Sequence, residues 1–127
     1  MAALAQPFVA VVFGAFILCA ETCLHLEDIL HPASWVDLPW HDWLAGAFLV
    51  LGGVIRRRLY QAAAWGFMGS LLMGAFVGHW EDWTASLQPN DWISGRAFVT
   101  ILGVLLVVSL CALAATLSAD KGQSSRA

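Results

Sequence analysis

Four apolar runs, at residues 8–30, 43–58, 59–79 and 93–119, take up most of this 127-residue chain, and only short polar stretches separate them. A helix needs roughly 20 predominantly apolar residues to cross the hydrocarbon core of a bilayer. Hydrophobic residues make up 60% of the chain and charged residues 12%, with a mean hydropathy of +0.74. A soluble domain of this length has no room to bury so much apolar surface. The expected fold is an all-α integral membrane protein: one domain over 1–119, a bundle of four transmembrane helices, TM1 (8–30), TM2 (43–58), TM3 (59–79) and TM4 (93–119). This excludes a secreted disulfide scaffold, a soluble enzyme fold and a nucleic-acid binder.

The spans differ in quality. TM1 follows Pro7, which suits the first turn of a helix, and is interrupted by Glu21, His25, Glu27 and Asp28 only in its second half. TM2 is uncharged only from Trp43 to Ile55, so it reaches across by letting Arg57 and Arg58 snorkel or by adding turns on the Trp40 side. TM4 carries Arg96 in its first turn. Residues 1–7 hold no Lys or Arg, so TM1 is expected to stay in place and not to be cleaved as a signal peptide. Neither Leu18 before Cys19 nor Thr22 before Cys23 makes a lipoprotein site, and no lipid anchor is expected. The polar stretch 120–127 reads as a disordered cytoplasmic tail.

Charge sets the orientation. Arg56, Arg57, Arg58, Lys121 and Arg126 share one side, which the positive-inside rule makes cytoplasmic. Eight of the nine acids and Arg96 fall on the other side, an asymmetry of −7 outside against +4 inside once Asp120 is included. All four His and six of the seven Trp also fall outside. Both termini are therefore expected in the cytoplasm. We take the membrane to be a bacterial inner membrane, with the His- and acid-rich loops facing out.

The chain repeats itself. His25-Leu26-Glu27-Asp28 ends TM1 and His79-Trp80-Glu81-Asp82 ends TM3, both H-x-E-D. Asp42-Trp43-Leu44-Ala45-Gly46-Ala47-Phe48 opens TM2, and Asp91-Trp92-Ile93-Ser94-Gly95-Arg96-Ala97-Phe98 opens TM4 with one residue inserted. A hairpin cannot bury its inner stripe alone, so the expected arrangement is two duplicated helical hairpins packed about a pseudo-twofold axis. In TM3, Gly66, Ser70, Gly74 and Gly78 recur every fourth residue and lay a stripe of small residues where another helix backbone can come close. TM3 is the expected central helix.

Chemistry concentrates at the outer ends. On a helical wheel Glu21, His25 and Asp28 fall within an arc of about 60°. Glu21 lies about 13 Å below the outer end of TM1 if that helix reaches Leu30. A carboxylate at such depth faces protein or a water-filled cavity and has a partner. If TM1 and TM3 face each other, Glu21, His25, Asp28, His79 and Asp82 converge as a candidate site for a divalent metal such as Zn²⁺, Mn²⁺ or Fe²⁺. The two His could instead ligate a b-type haem, the less favoured cofactor. His31 and His41 could extend the site from the loop between TM1 and TM2. The plainer alternative is that these are interfacial His and carboxylates hydrogen-bonded to indole N–H groups and Arg96.

H-x-E-D lacks the specificity of a C-x-x-C pair, and the chain holds no nucleophile elbow, nucleotide fingerprint or phosphate-cradling glycine loop. The three cysteines, Cys19, Cys23 and Cys111, read as packing residues. The leading expectation is thus a protein without catalytic activity that works by association in the bilayer, as an accessory subunit of a membrane assembly or as a homo-oligomer. A metal- or haem-binding redox or metal-handling protein is the alternative. A small proton or ion transporter working as an oligomer is a third, weakened because no polar path continues below Glu21.

Overall fold

The computed structural model describes residues 2–31, 38–84 and 94–124, and among them every regular element is helical. A short 3₁₀ turn, Ala2–Ala5, leads into α1 (Pro7–Leu24). It is followed by α2 (Leu26–Leu30), α3 (Trp40–Ile55), α4 (Arg58–Gly78), a second 3₁₀ turn (Trp80–Thr84) and α5 (Gly95–Ser124). Three of these, α1, α4 and α5 as far as Ala119, are long and apolar enough to cross a membrane. α3 has the same character but only 16 residues, about 24 Å of helix.

The boundaries depart from those expected of the sequence at four places. TM1 is broken: α1 stops at Leu24 and α2 restarts at Leu26, with His25 between them. The second helix begins at Trp40 and ends at Ile55, so the span is lengthened on its Trp side and not by taking in the arginines. Arg56 closes it in the left-handed conformation (φ 58°, ψ 13°), which for a residue with a Cβ costs about 1–2 kcal/mol. Arg57 is extended, and α4 starts at once with Arg58, so two residues reverse the chain. Lastly, α5 runs through Ser124 where the sequence suggested a disordered tail from Asp120. Each residue added to an existing helix gains a backbone hydrogen bond for little ordering cost, and polarity alone does not stop it.

α1 and α3 lie against each other at backbone distance. A Cβ built on Gly14 would sit 2.6 Å from the carbonyl oxygen of Gly46, and one on Gly46 would sit 2.8 Å from Leu18 Cγ. One on Gly53 would sit 2.6 Å from the carbonyl oxygen of Pro7. Only glycine permits this approach, and the dispersion contacts it brings are the main attraction between helices in lipid. α3 then packs on α4 through Phe48 and Phe67, with ring centroids 5.9 Å apart. α4 packs on α5, where Ser109 Oγ donates a hydrogen bond of 3.2 Å to the carbonyl oxygen of Trp65.

α4 is central, touching α1, α3 and α5. Its inner face buries Ala62, Trp65, Met68, Gly69 and Leu72. Trp65, 1% exposed, is the largest fully buried side chain, and Phe13 of α1 meets it edge-on at 5.2 Å. Three threonine hydroxyls are satisfied within their own helices: Thr22 donates to the Leu18 carbonyl, Thr100 to that of Arg96 and Thr116 to that of Ala112. The small-residue stripe of α4 takes no part in this packing. A Cβ on Gly66, Gly74 or Gly78 would meet nothing within 4 Å, and Ser70 between them is exposed.

Two classes of glycine follow, and they should respond differently to one methyl group. Gly14→Ala is expected to destabilise the folded chain by about 1–3 kcal/mol through overpacking. Gly74→Ala, in dilute detergent, should leave stability unchanged or raised by up to about 1 kcal/mol through helix propensity. Reversible unfolding of the two variants beside the parent chain checks this.

Candidate functional site

The two H-x-E-D segments fold alike. His25 ends α1 with φ −103° and ψ 21°, its N–H bonded to the Glu21 carbonyl at 3.0 Å. His79 ends α4 with φ −99° and ψ 10°, its N–H bonded to the Ala75 carbonyl at 3.0 Å. In both, the turn that follows brings the acid three residues on back to the imidazole. His25 Nδ1 lies 3.1 Å from Asp28 Oδ2, and His79 Nδ1 lies 2.7 Å from Asp82 Oδ2. An ionised carboxylate only accepts, so each Nδ1 carries the proton and each neutral ring keeps its lone pair on Nε2. That is the tautomer a histidine adopts when a carboxylate orients it for a ligand.

Their surroundings differ. His25 Nε2 lies 3.8 Å from Glu21 Oε2, so the imidazole at the break stands between a carboxylate of α1 and one of α2. Glu21 also feels the charges of Asp42 and His41 on α3, which the close α1–α3 approach brings up beside it. His79 instead meets Phe98 of α5 edge-on at 5.0 Å. Arg96 Nε donates to the carbonyl oxygen of Trp83 at 3.2 Å, and any Cβ on Gly95 would run into the Asp82 carbonyl. These contacts pin the turn after α4 to the start of α5. Trp80 and Trp83 stack there at 6.1 Å.

The five residues singled out as a metal site, Glu21, His25, Asp28, His79 and Asp82, therefore form two separate groups. Glu21, His25 and Asp28 belong to the α1–α3 pair, and His79 with Asp82 to the α4–α5 pair. α1 and α4 meet through Phe13 and Trp65, well below the histidines. The convergence expected from TM1 facing TM3 is not what the helices do, because each H-x-E-D helix packs chiefly on the helix that follows it. Among the described residues, no three His, Cys, Asp or Glu side chains come together as a set able to hold a metal ion.

Other expectations fare unevenly. Arg96 bonds a backbone carbonyl and, among the described residues, no His or acid. Cys19 and Cys23 carry free thiols on the exposed face of α1 and are not buried packing residues, while Cys111 is half-buried on α5. The proximity of Asp42 and His41 to Glu21 was not visible in the spacing, since it depends on the glycine contact between two helices. Asp91 and Trp92, the repeat counterparts of Asp42 and Trp43, lie outside the described residues, as do Trp35 and Asp37.

Separate dyads make a thermodynamic expectation. His25→Ala and His79→Ala should change stability independently, the double variant matching the sum within about 0.5 kcal/mol. A larger interaction energy, measured by a double-mutant cycle, would mean that the two rings share a ligand. No family model, curated protein or solved structure matches this chain.

Proposed function

We propose that this is a membrane protein that acts by helix–helix association, with four helices in the bilayer, both termini in the cytoplasm, and no chemistry of its own. The observation that carries the reading is the small-residue stripe of α4. Where the chain packs on itself closely, glycines are filled: Gly14 and Gly46 meet each other's helices, and Gly53 meets Pro7 and Val11. At Gly66, Gly74 and Gly78 the same residue type lies on an open face. In lipid there is no hydrophobic force to pull helices together, so a flat face that lets backbones approach is what creates an association surface.

A stripe of small residues is its own best complement, and a twofold contact sets the same patch against itself. The occupant we assign is accordingly α4 of a second copy. The likeness of the two histidine turns supports the same architecture, since they share backbone and side-chain geometry. These features favour a duplicated, four-helix arrangement with its arginine turn inside.

The dyads favour a second reading. A histidine with Nδ1 held by aspartate presents Nε2 as a ligand, so each dyad supplies one oriented imidazole and one carboxylate toward a divalent metal. Full coordination then needs donors from another chain.

Substitution of the stripe tests the leading reading. Ser70→Leu or Gly74→Leu should weaken self-association by tenfold or more, about 1.4 kcal/mol, in energy-transfer measurements between labelled copies in liposomes. Val107→Leu, on the exposed face of α5, should leave it unchanged. Equal association in all three variants would remove α4 as the contact.

A further inference from the structure

We infer that the arginine end of the helices holds a phosphate-binding pocket, centred on Arg58, that takes the headgroup of an anionic phospholipid. A cavity of about 650 Å³ opens there between the start of α1, the start of α4 and the last turns of α5. Gln6, Arg58 and Ser118 supply its polar lining, and Ala5, Pro7, Ala115 and Ala119 its apolar wall. The volume falls in the range of small-molecule sites, and a few polar groups on an apolar wall is their usual make-up.

Arg58 is the residue that asks for a ligand. Its Nη1 is shut off from solvent and makes no hydrogen bond, and among the described residues no carboxylate lies within ion-pair distance of it. A guanidinium nitrogen shut off from water without an acceptor is costly, even on a half-buried arginine. Arg56 and Arg57 beside it are exposed. They are free to serve as ordinary topology determinants, whereas Arg58 points inward. Gln61, three residues on, also keeps a buried Nε2 without a partner, but it sits against Gly52 of α3 and does not line this cavity. The orphaned Arg58 nitrogen is a donor, so the missing complement is an acceptor.

Phosphate fits that demand better than carboxylate or chloride. Its oxygens accept from the guanidinium fork and from the Ser118 and Gln6 side chains at once. The pocket lies where α4 and α5 leave their apolar spans, the depth of lipid headgroups if these helices cross a bilayer. An anionic lipid supplies the phosphate together with acyl chains for the apolar wall.

The test uses the full chain in neutral detergent, reading thermal unfolding from its tryptophans and bound mass by native mass spectrometry. Phosphatidylglycerol should raise Tm progressively with concentration and stay bound in the gas phase, while diacylglycerol, which lacks phosphate, should do neither. Arg58→Gln should lose most of the shift and Arg57→Gln should keep it. Arg58→Lys retains the charge without the fork, and should keep a weaker shift if the folded pocket is intact. A rise of the same size with inorganic phosphate would support the phosphate pocket and make its ligand soluble. No shift with either phosphate source, or equal loss in Arg57→Gln and Arg58→Gln, would overturn the proposal. So would a shift that appears only in Asp120→Asn, because that would put the Asp120 carboxylate in the pocket.

Discussion

The close approach of α1 and α3 sets the rest of this structure. Pro7, Val11 and Leu18 on one helix fit against Gly53 and Gly46 on the other, and Gly14 receives the Gly46 carbonyl. Because no side chain separates the backbones, many weak dispersion contacts accumulate over a short helix. That contact holds in place α3, which with 16 residues is the helix least able to span on its own. It fixes where the arginine turn falls and hence where α4 begins, and it lifts His41 and Asp42 alongside Glu21. α4 then receives Phe13 of α1 on Trp65 and presents its inner face to α5.

The helical character and three long apolar spans were legible in the sequence because bilayer length and apolar composition leave few alternatives. The H-x-E-D repeat was legible too, and its two copies share a turn and a hydrogen bond. Which helices face one another was not. Periodicity reports that a face is apolar or small without naming the partner, so TM1 and TM3 could be set face to face on paper while the chain pairs each with its successor. The stripe of small residues carries the same ambiguity: Gly53 and Gly74 read alike in sequence, and only the structure shows one filled and the other open. The break at His25 and the left-handed Arg56 were hidden because neither position carries the Gly or Pro that usually marks such turns.

Three kinds of polar group stand out among the described residues. The hydroxyls of Thr22, Thr100 and Thr116 are satisfied by their own helices and carry no message beyond that. The histidine dyads are satisfied by neighbours three residues away, which orients each ring but leaves it half exposed. Arg58 Nη1 and Gln61 Nε2 keep donors without acceptors, and its place in a cavity gives Arg58 a different meaning from that of the exposed Arg56 and Arg57 beside it. Sequence reasoning grouped the three arginines because charge counting does not see direction.

Copies of this chain are proposed to meet through α4, and disulfide trapping in native membranes tests that contact most directly. In a chain with Cys19, Cys23 and Cys111 replaced, Ser70→Cys and Gly74→Cys should each give a covalent dimer on mild oxidation, while Val107→Cys on the exposed face of α5 should not. Monomers at positions 70 and 74 under conditions that trap Val107→Cys would contradict it, and would move the contact from α4 to α5.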